Sequence, residues 1–325
     1  MSKALEMTTV DVVQQHLHEQ NYIAERSLAT AIYLALRMGK PLFLEGEAGV
    51  GKTEVAKVLA RILDTRLIRL QCYEGLDANH ALYEWNYAQQ LLYLRMMEVG
   101  SDSDRRSDSD RRKGGRADAI PIADLRAGLF TREFLQARPL LQALEAGQNG
   151  SPPVLLIDEL DRADEEFEAL LLELLSDFQI TIPELGTIRA SQPPVVIITS
   201  NRTREIHDAL KRRCLYYWIE YPTFQKELKI VRAKAPDVEP MFARHITAFI
   251  QELRSMELFK RPGVAETIDW TAALVALDQH ELTVDAVQET VGVILKYQDD
   301  IASLSGGSLK TALDRARVRA ESAAS

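Results

Sequence analysis

The 325-residue sequence has little that would tie it to a membrane, an oxidising compartment or a polyanion. It holds two cysteines, Cys72 and Cys214, each inside an apolar run. That excludes a disulfide framework, and both read as buried free thiols of a reducing compartment. Apolar runs such as VLLI (154–157) and VVII (195–198) fall far short of the roughly 20 residues a membrane helix needs. The polar start, MSKALEMTTVDVVQQHLHEQ, lacks the apolar stretch of a secretory signal, so a cytoplasmic protein is expected. An excess of positive charge is missing too. Lys and Arg number 39 against 48 Asp and Glu, a net charge of −9, so the whole molecule has no attraction for phosphate backbones. A local basic patch stays open. The remaining composition, 46% hydrophobic and 27% charged, is that of a globular protein rather than a collagen-like or wholly disordered one.

What is present alternates between two periodicities. AERSLATAIYLALRMG (24–39) has helical spacing and stops at Gly39. PLFLEG (41–46) follows as a short apolar run of the kind a strand covered on both faces requires. RLIRLQC (66–72), VLLIDEL (154–160) and VVIITSN (195–201) share that character, and CLYYWIEY (214–221) is rich in aromatic and β-branched residues. EVAKVLARIL after Thr53 reads as a helix. So does the stripe Phe167, Leu170, Leu171, Leu174, Leu175 and Phe178. Strands alternating with helices predict an α/β core, with a five-stranded parallel sheet flanked by helices. After Pro222 no strand is expected, and Glu227–Lys234, Met241–Leu258, Thr267–Asp278 and Val284–Tyr297 read as helices. The predicted division is a core at 1–222 and a small helical domain at 223–325. Residues 101–117, with SDSDRR twice in tandem, cannot bury enough apolar surface to offset ordering entropy. They read as a flexible surface insertion, a nucleic-acid arm or phosphorylation site being the other reading.

The most specific motif is Gly46-Glu47-Ala48-Gly49-Val50-Gly51-Lys52-Thr53. It fits G-x-x-x-x-G-K-[ST] directly after a strand and before a helix, the context that marks a P-loop. Its backbone N–H groups and the helix N-terminus suit phosphate oxygens. Lys52 suits the β- and γ-phosphates, and Thr53 suits Mg²⁺. VLLI then delivers Asp158 and Glu159 to a strand's carboxyl end, where ligands of open α/β sheets sit. Asp158 suits the Mg²⁺ shell and Glu159 the polarisation of an attacking water, although such acids also cap helices. Asp161 and Asp164 read as solvated acids or helix caps. Asn201, ending ITSN, could orient that water or simply begin a loop. Lys211-Arg212-Arg213 is either a solvated basic face or the source of an arginine finger acting on a neighbouring subunit.

LEGEAGVGKTEVAK (44–57), LLIDELDRADEEFEALLLELLSDFQITIPELGTI (155–188), ITSNRTREIHDALKRRCLYYWIEYP (198–222) and RPGVAETIDW (261–270) together resemble the AAA+ ATPase module. More narrowly they resemble the MoxR family, in the CoxD-type branch associated with maturation of carbon monoxide dehydrogenase. The resemblance implies an ATPase using ATP and Mg²⁺. Lys52 and Thr53 then belong to Walker A, Asp158 and Glu159 to Walker B, and Asn201 to sensor 1. Arg213 stands at the finger position, with Arg212 beside it, and residues 177–188 match a hairpin before sensor 1. It further implies a ring, typically hexameric, a von Willebrand factor A domain partner and a metalloenzyme client. One departure is visible: Glu266 and Thr267 stand where a sensor-2 arginine belongs, with Lys260 and Arg261 just before. The alternative, a nucleic-acid-associated AAA+ motor or loader, would need a basic pore loop or a nucleic-acid domain, and neither is visible. A non-hydrolytic switch conflicts with the pairing of Glu159 and Asn201, and no acceptor site for a small-molecule kinase is visible.

Overall fold

The computed structural model describes residues 7–106, 128–147 and 151–322. Strands β1 (Leu42–Gly46) and β2 (Leu67–Gln71) are followed by an antiparallel pair, β3 (Tyr83–Trp85) with β4 (Leu135–Ala137). Then come β5 (Val154–Asp158), a hairpin of β6 (Gln179–Ile182) and β7 (Gly186–Arg189), β8 (Val195–Ser200) and β9 (Leu215–Ile219). Five of these form one parallel sheet in the order β2-β5-β8-β1-β9. The order serves the chemistry, because the three strands that end in the P-loop, Asp158 and Asn201 are direct neighbours. Their carboxyl ends open on one crevice.

Every residue of β1 and β5 is buried, which is why their sequences are continuous rather than alternating. Alternation survives as a choice of face. Phe43, Leu155, Ile157 and Ile198 pack under the helices Pro139–Ala146 and Glu165–Asp177. Leu42, Leu44, Leu156 and Ile197 face the helices Val10–Glu19, Arg26–Met38 and Lys52–Leu63. The first of these, capped by the Thr9 hydroxyl, was not anticipated.

Two expectations are corrected. Phe178 does not extend the helical stripe; it ends the helix in a left-handed conformation (φ 49°) and turns the chain into β6. Residues 101–106, expected in a flexible insertion, are the last turns of the helix Tyr87–Arg106. Extending an existing helix needs no new nucleus, so polar residues are carried along. Residues 107–117 of that insertion lie outside the described residues.

Beyond Pro222 the chain is helical: Phe224–Lys234, Pro240–Ser255, Val264–Ala276, Val284–Ile294, Gln298–Ser303 and Gly307–Ser322. The last two were missed. Leu309, Ala312, Leu313, Ala316 and Ala320 form a buried stripe, but alanine and interleaved arginines make it faint in sequence. These helices share one core around Phe249 and the fully buried Trp270.

A buried ion pair fixes where this layer begins. Arg254 donates from both terminal nitrogens to Glu227 (2.6 and 2.7 Å) and from Nε to the Pro262 carbonyl (2.7 Å). Gln251 donates to Glu227 (2.7 Å) and to the Pro222 carbonyl (2.9 Å), and Thr267 donates to Glu227 (2.7 Å). The guanidinium lies 4.8 Å from the centre of the Tyr221 ring. The network thus ties the segment leaving the sheet to the loop that starts the helix Val264–Ala276.

Candidate active site

The P-loop leaves β1 at Gly46, where a side chain could not fit: a Cβ there would lie 2.3 Å from the Ile219 carbonyl oxygen of β9. The loop ends on Gly51, and the helix Lys52–Leu63 starts at once. A cleft of about 530 Å³ runs from Tyr22 and Ile23 past Gly49–Thr53 to Glu159, Thr199 and Asn201. Val264, Ala265 and Ile268 close its other side. Residues predicted from three separate stretches of sequence therefore line one cavity.

Lys52 is buried, with Nζ donating to the Gly46 and Glu47 carbonyls, both at 2.6 Å. Burial pushes its ammonium down to about 8, against the pull of the Asp161, Glu47, Asp158 and Glu159 carboxylates. A phosphate oxygen favours the charged form and must reverse that shift. ATP binding is thus expected to take up little proton at pH 7 and a substantial fraction at pH 8.5, with affinity falling as pH rises through about 8. Calorimetry in buffers of different ionisation enthalpy measures this; uptake that is equal at both pH values would refute it.

Thr53 Oγ1 donates to Asp158 Oδ1 (2.9 Å), leaving its lone pairs free. A hydroxyl and a carboxylate oxygen side by side are the hard donors Mg²⁺ takes when phosphates supply the rest, so the residues fit that ion. Asp158 is held firmly. Its Oδ1 also accepts from Thr199 Oγ1 (2.6 Å), and its Oδ2 accepts from Arg69 Nε (3.0 Å) and Nη2 (2.6 Å). Glu159 adopts a left-handed conformation (φ 55°), which costs a non-glycine residue about 1–2 kcal/mol. The Glu159 N–H donates to Thr199 Oγ1 (2.9 Å), and Oε2 accepts from Gln71 (3.0 Å) and Arg162 (3.1 Å).

Asp161, expected as a solvated acid or a helix cap, is instead buried. It accepts from the backbone N–H groups of Asn201 (3.1 Å) and Thr203 (2.9 Å) and from the Thr203 hydroxyl (2.7 Å). It therefore anchors the loop that carries Asn201. Asp164 caps the helix Glu165–Asp177 through the Phe167 N–H (3.1 Å). Arg213 lies outside the cleft on the short helix Asp208–Arg213, exposed, donating to Ser176 Oγ (3.0 Å) and the Ala209 carbonyl (3.2 Å). Arg212 is exposed and, among the described residues, its side chain makes no hydrogen bond or ion pair.

Lys260 and Arg261 do not line the cleft. At the sensor-2 position the helix Val264–Ala276 presents its N-terminus instead: the Val264 and Ala265 N–H groups donate to the Gly49 carbonyl (2.9 and 3.1 Å). Glu266 folds back to accept from the Gly263 N–H (3.0 Å). Sequence reasoning missed Thr199, Arg69 and Gln71; the only signals were a hydroxyl ending an aliphatic run and two polar residues alternating along β2.

A family model, the AAA domain of the dynein-related subfamily, matches residues 41–214. The chain belongs to this AAA family. Proteins of this kind are nucleotide-hydrolysing ATPases that generally use ATP with Mg²⁺ and usually oligomerise into rings. The matched span of the AAA domain runs from the residue before β1 to the residue before β9. Among relatives, an uncharacterized protein of Staphylococcus epidermidis is 21% identical over 274 residues, covering 81% of this chain and 87% of its own. Among solved structures, the RuvB Holliday junction branch migration motor of Thermotoga maritima is 18% identical, covering 82% of this chain and 67% of that one, with a TM-score of 0.43. A RuvB mutant from the same organism is also 18% identical, covering 91% of this chain and 74% of that one, at 0.45. Among the described residues of this AAA protein, no helix is long and apolar enough to cross a membrane. Cys72 and Cys214 are free and buried, and burial pushes both thiols up to about 12.

Proposed function

We propose that this AAA protein hydrolyses ATP to ADP and phosphate as a MoxR-type chaperone of the CoxD-like branch. In this reading it remodels a metalloenzyme client together with a von Willebrand factor A domain partner. The observation that carries the hydrolytic part is the convergence of Lys52, Thr53, Asp158, Glu159 and Asn201 on one cleft, with Arg213 exposed away from it. The chaperone and partner roles rest on the resemblance of residues 155–188, 198–222 and 261–270.

In this reading residues 1–222 form the nucleotide-binding core and 223–325 the lid. Lys52 and the P-loop amides hold the phosphates, and Thr53 and Asp158 hold Mg²⁺, which supplies charge neutralisation when bound. Glu159 takes the proton of the attacking water while Asn201 orients it. Arg213 completes the cleft of a neighbouring subunit in a ring, most simply a hexamer, where charge develops on the transferred phosphoryl group.

Mixing tests the shared site. Neither Arg213→Ala nor Lys52→Ala protein should turn over ATP alone. Their mixture should recover a fraction of wild-type turnover, because some interfaces pair an intact P-loop with an intact finger. Assembled mixtures with no recovery at any ratio would sink the trans arrangement. Turnover that instead rises only with added DNA or RNA would favour a nucleic-acid motor.

A further inference from the structure

We infer that Arg69 is a positioning residue that keeps Asp158 closed to a free divalent cation until nucleotide phosphates accompany one. The inference rests on Asp158 being the metal-side carboxylate proposed above.

A carboxylate has about four acceptor sites, and those of Asp158 are all engaged. Thr53 and Thr199 take Oδ1, and two N–H groups of one guanidinium take Oδ2. Asp158 is 2% exposed, whereas the Arg69 side chain is 50% exposed. The threonines are built into the site, while Arg69 reaches in from the edge strand and can withdraw into water. Its role is not that of a core cation. Among the described residues Arg69 donates only to Asp158 and to the Gln71 side chain.

The register explains how it gets there. Arg69 and Gln71, two residues apart on β2, share the face opposite the buried Ile68 and Leu70. Gln71 pairs with Asp158 across the ladder. Gln71 also reaches Glu159 (3.0 Å), so one guanidinium touches the metal-side acid directly and the water-side acid through a single amide.

The electrostatic consequence has a definite sign. Asp158, Glu159 and Asp161 stand within four residues of chain and two of them are buried, a cluster that would attract a bare cation. A positive charge held against Oδ2 opposes that attraction, and the half-exposed guanidinium does so with some screening by solvent. A triphosphate brings several negative charges of its own, so the same guanidinium no longer decides the balance. Metal should therefore arrive with nucleotide rather than ahead of it.

The probe is Mn²⁺ alone, added to the full chain without nucleotide and followed by electron paramagnetic resonance. Arg69→Met, which keeps the stem and removes the charge, should bind Mn²⁺ at least about tenfold more tightly than wild type. Arg69→Gln should do the same, and Arg69→Lys should stay near wild type because the charge remains. Unchanged or weaker Mn²⁺ binding in the Met and Gln variants would overturn the inference, as would a Lys variant that binds as tightly as they do. Asp158→Ala separates this failure from failure of the site reading. If it leaves the Mg²⁺ dependence of fluorescent ATP binding untouched, the metal-side role of Asp158 is lost as well. If it abolishes that dependence while Arg69→Met changes nothing, only the role of Arg69 falls.

Discussion

Glu159→Gln should lower steady-state ATP turnover by about 10²–10⁴-fold, the range for removing a general base, while nucleotide affinity stays within a few-fold of wild type. The substitution is nearly isosteric, and the Glu159 N–H keeps its bond to Thr199 Oγ1. What disappears is the negative charge that Gln71 and Arg162 hold in place (3.0 and 3.1 Å). Phosphate-release kinetics and titration with a fluorescent nucleotide separate the two effects. Undiminished turnover would remove Glu159 from the chemistry, and lost binding would make it a structural residue of the P-loop side.

The second large effect concerns stability. Arg254→Ala should destabilise the protein by about 3–5 kcal/mol, the range for stranding one member of a buried ion pair. Glu227 is fully buried and would keep only Thr267 and Gln251 as donors. Replacing both partners, with Arg254→Met and Glu227→Gln, should recover much of that loss, since no charge is then stranded. Denaturant unfolding followed by circular dichroism measures both. A cost below about 1 kcal/mol for Arg254→Ala would mean that water reaches Glu227 after substitution.

Much of the fold was readable because buried parallel strands leave uninterrupted apolar runs. The five expected runs became the five strands of the sheet. The phosphate loop was readable for a different reason: its chemistry needs fixed residue types at fixed spacing. Elements whose stability comes from partners far along the chain were harder to see. The helix Gly307–Ser322 buries small residues among charges, and it is chiefly the facing helix Pro240–Ser255 that makes that stripe a core. Asp161 looked like one acid among several until the Asn201 loop, forty residues on, supplied its donors. Thr199 joins Asp158 to Glu159 only once β8 lies beside β5. Phe178 kept the helical period, but its backbone conformation belongs to the turn that launches the β6–β7 hairpin.

The hydrogen bonds that join Gly49 to the helix Val264–Ala276 are made by peptide groups alone. Side-chain exchange at 264 or 265 therefore leaves both donors in place, and only an imino acid, which has no amide hydrogen, deletes one. Where an arginine side chain would leave a signature letter in the sequence, these two donors leave none. The identities at 264 and 265 can drift while the link between phosphate loop and helix stays the same. Gly263, by contrast, is fixed, because a Cβ there would lie 2.8 Å from both the Ala48 carbonyl oxygen and the Gly49 Cα.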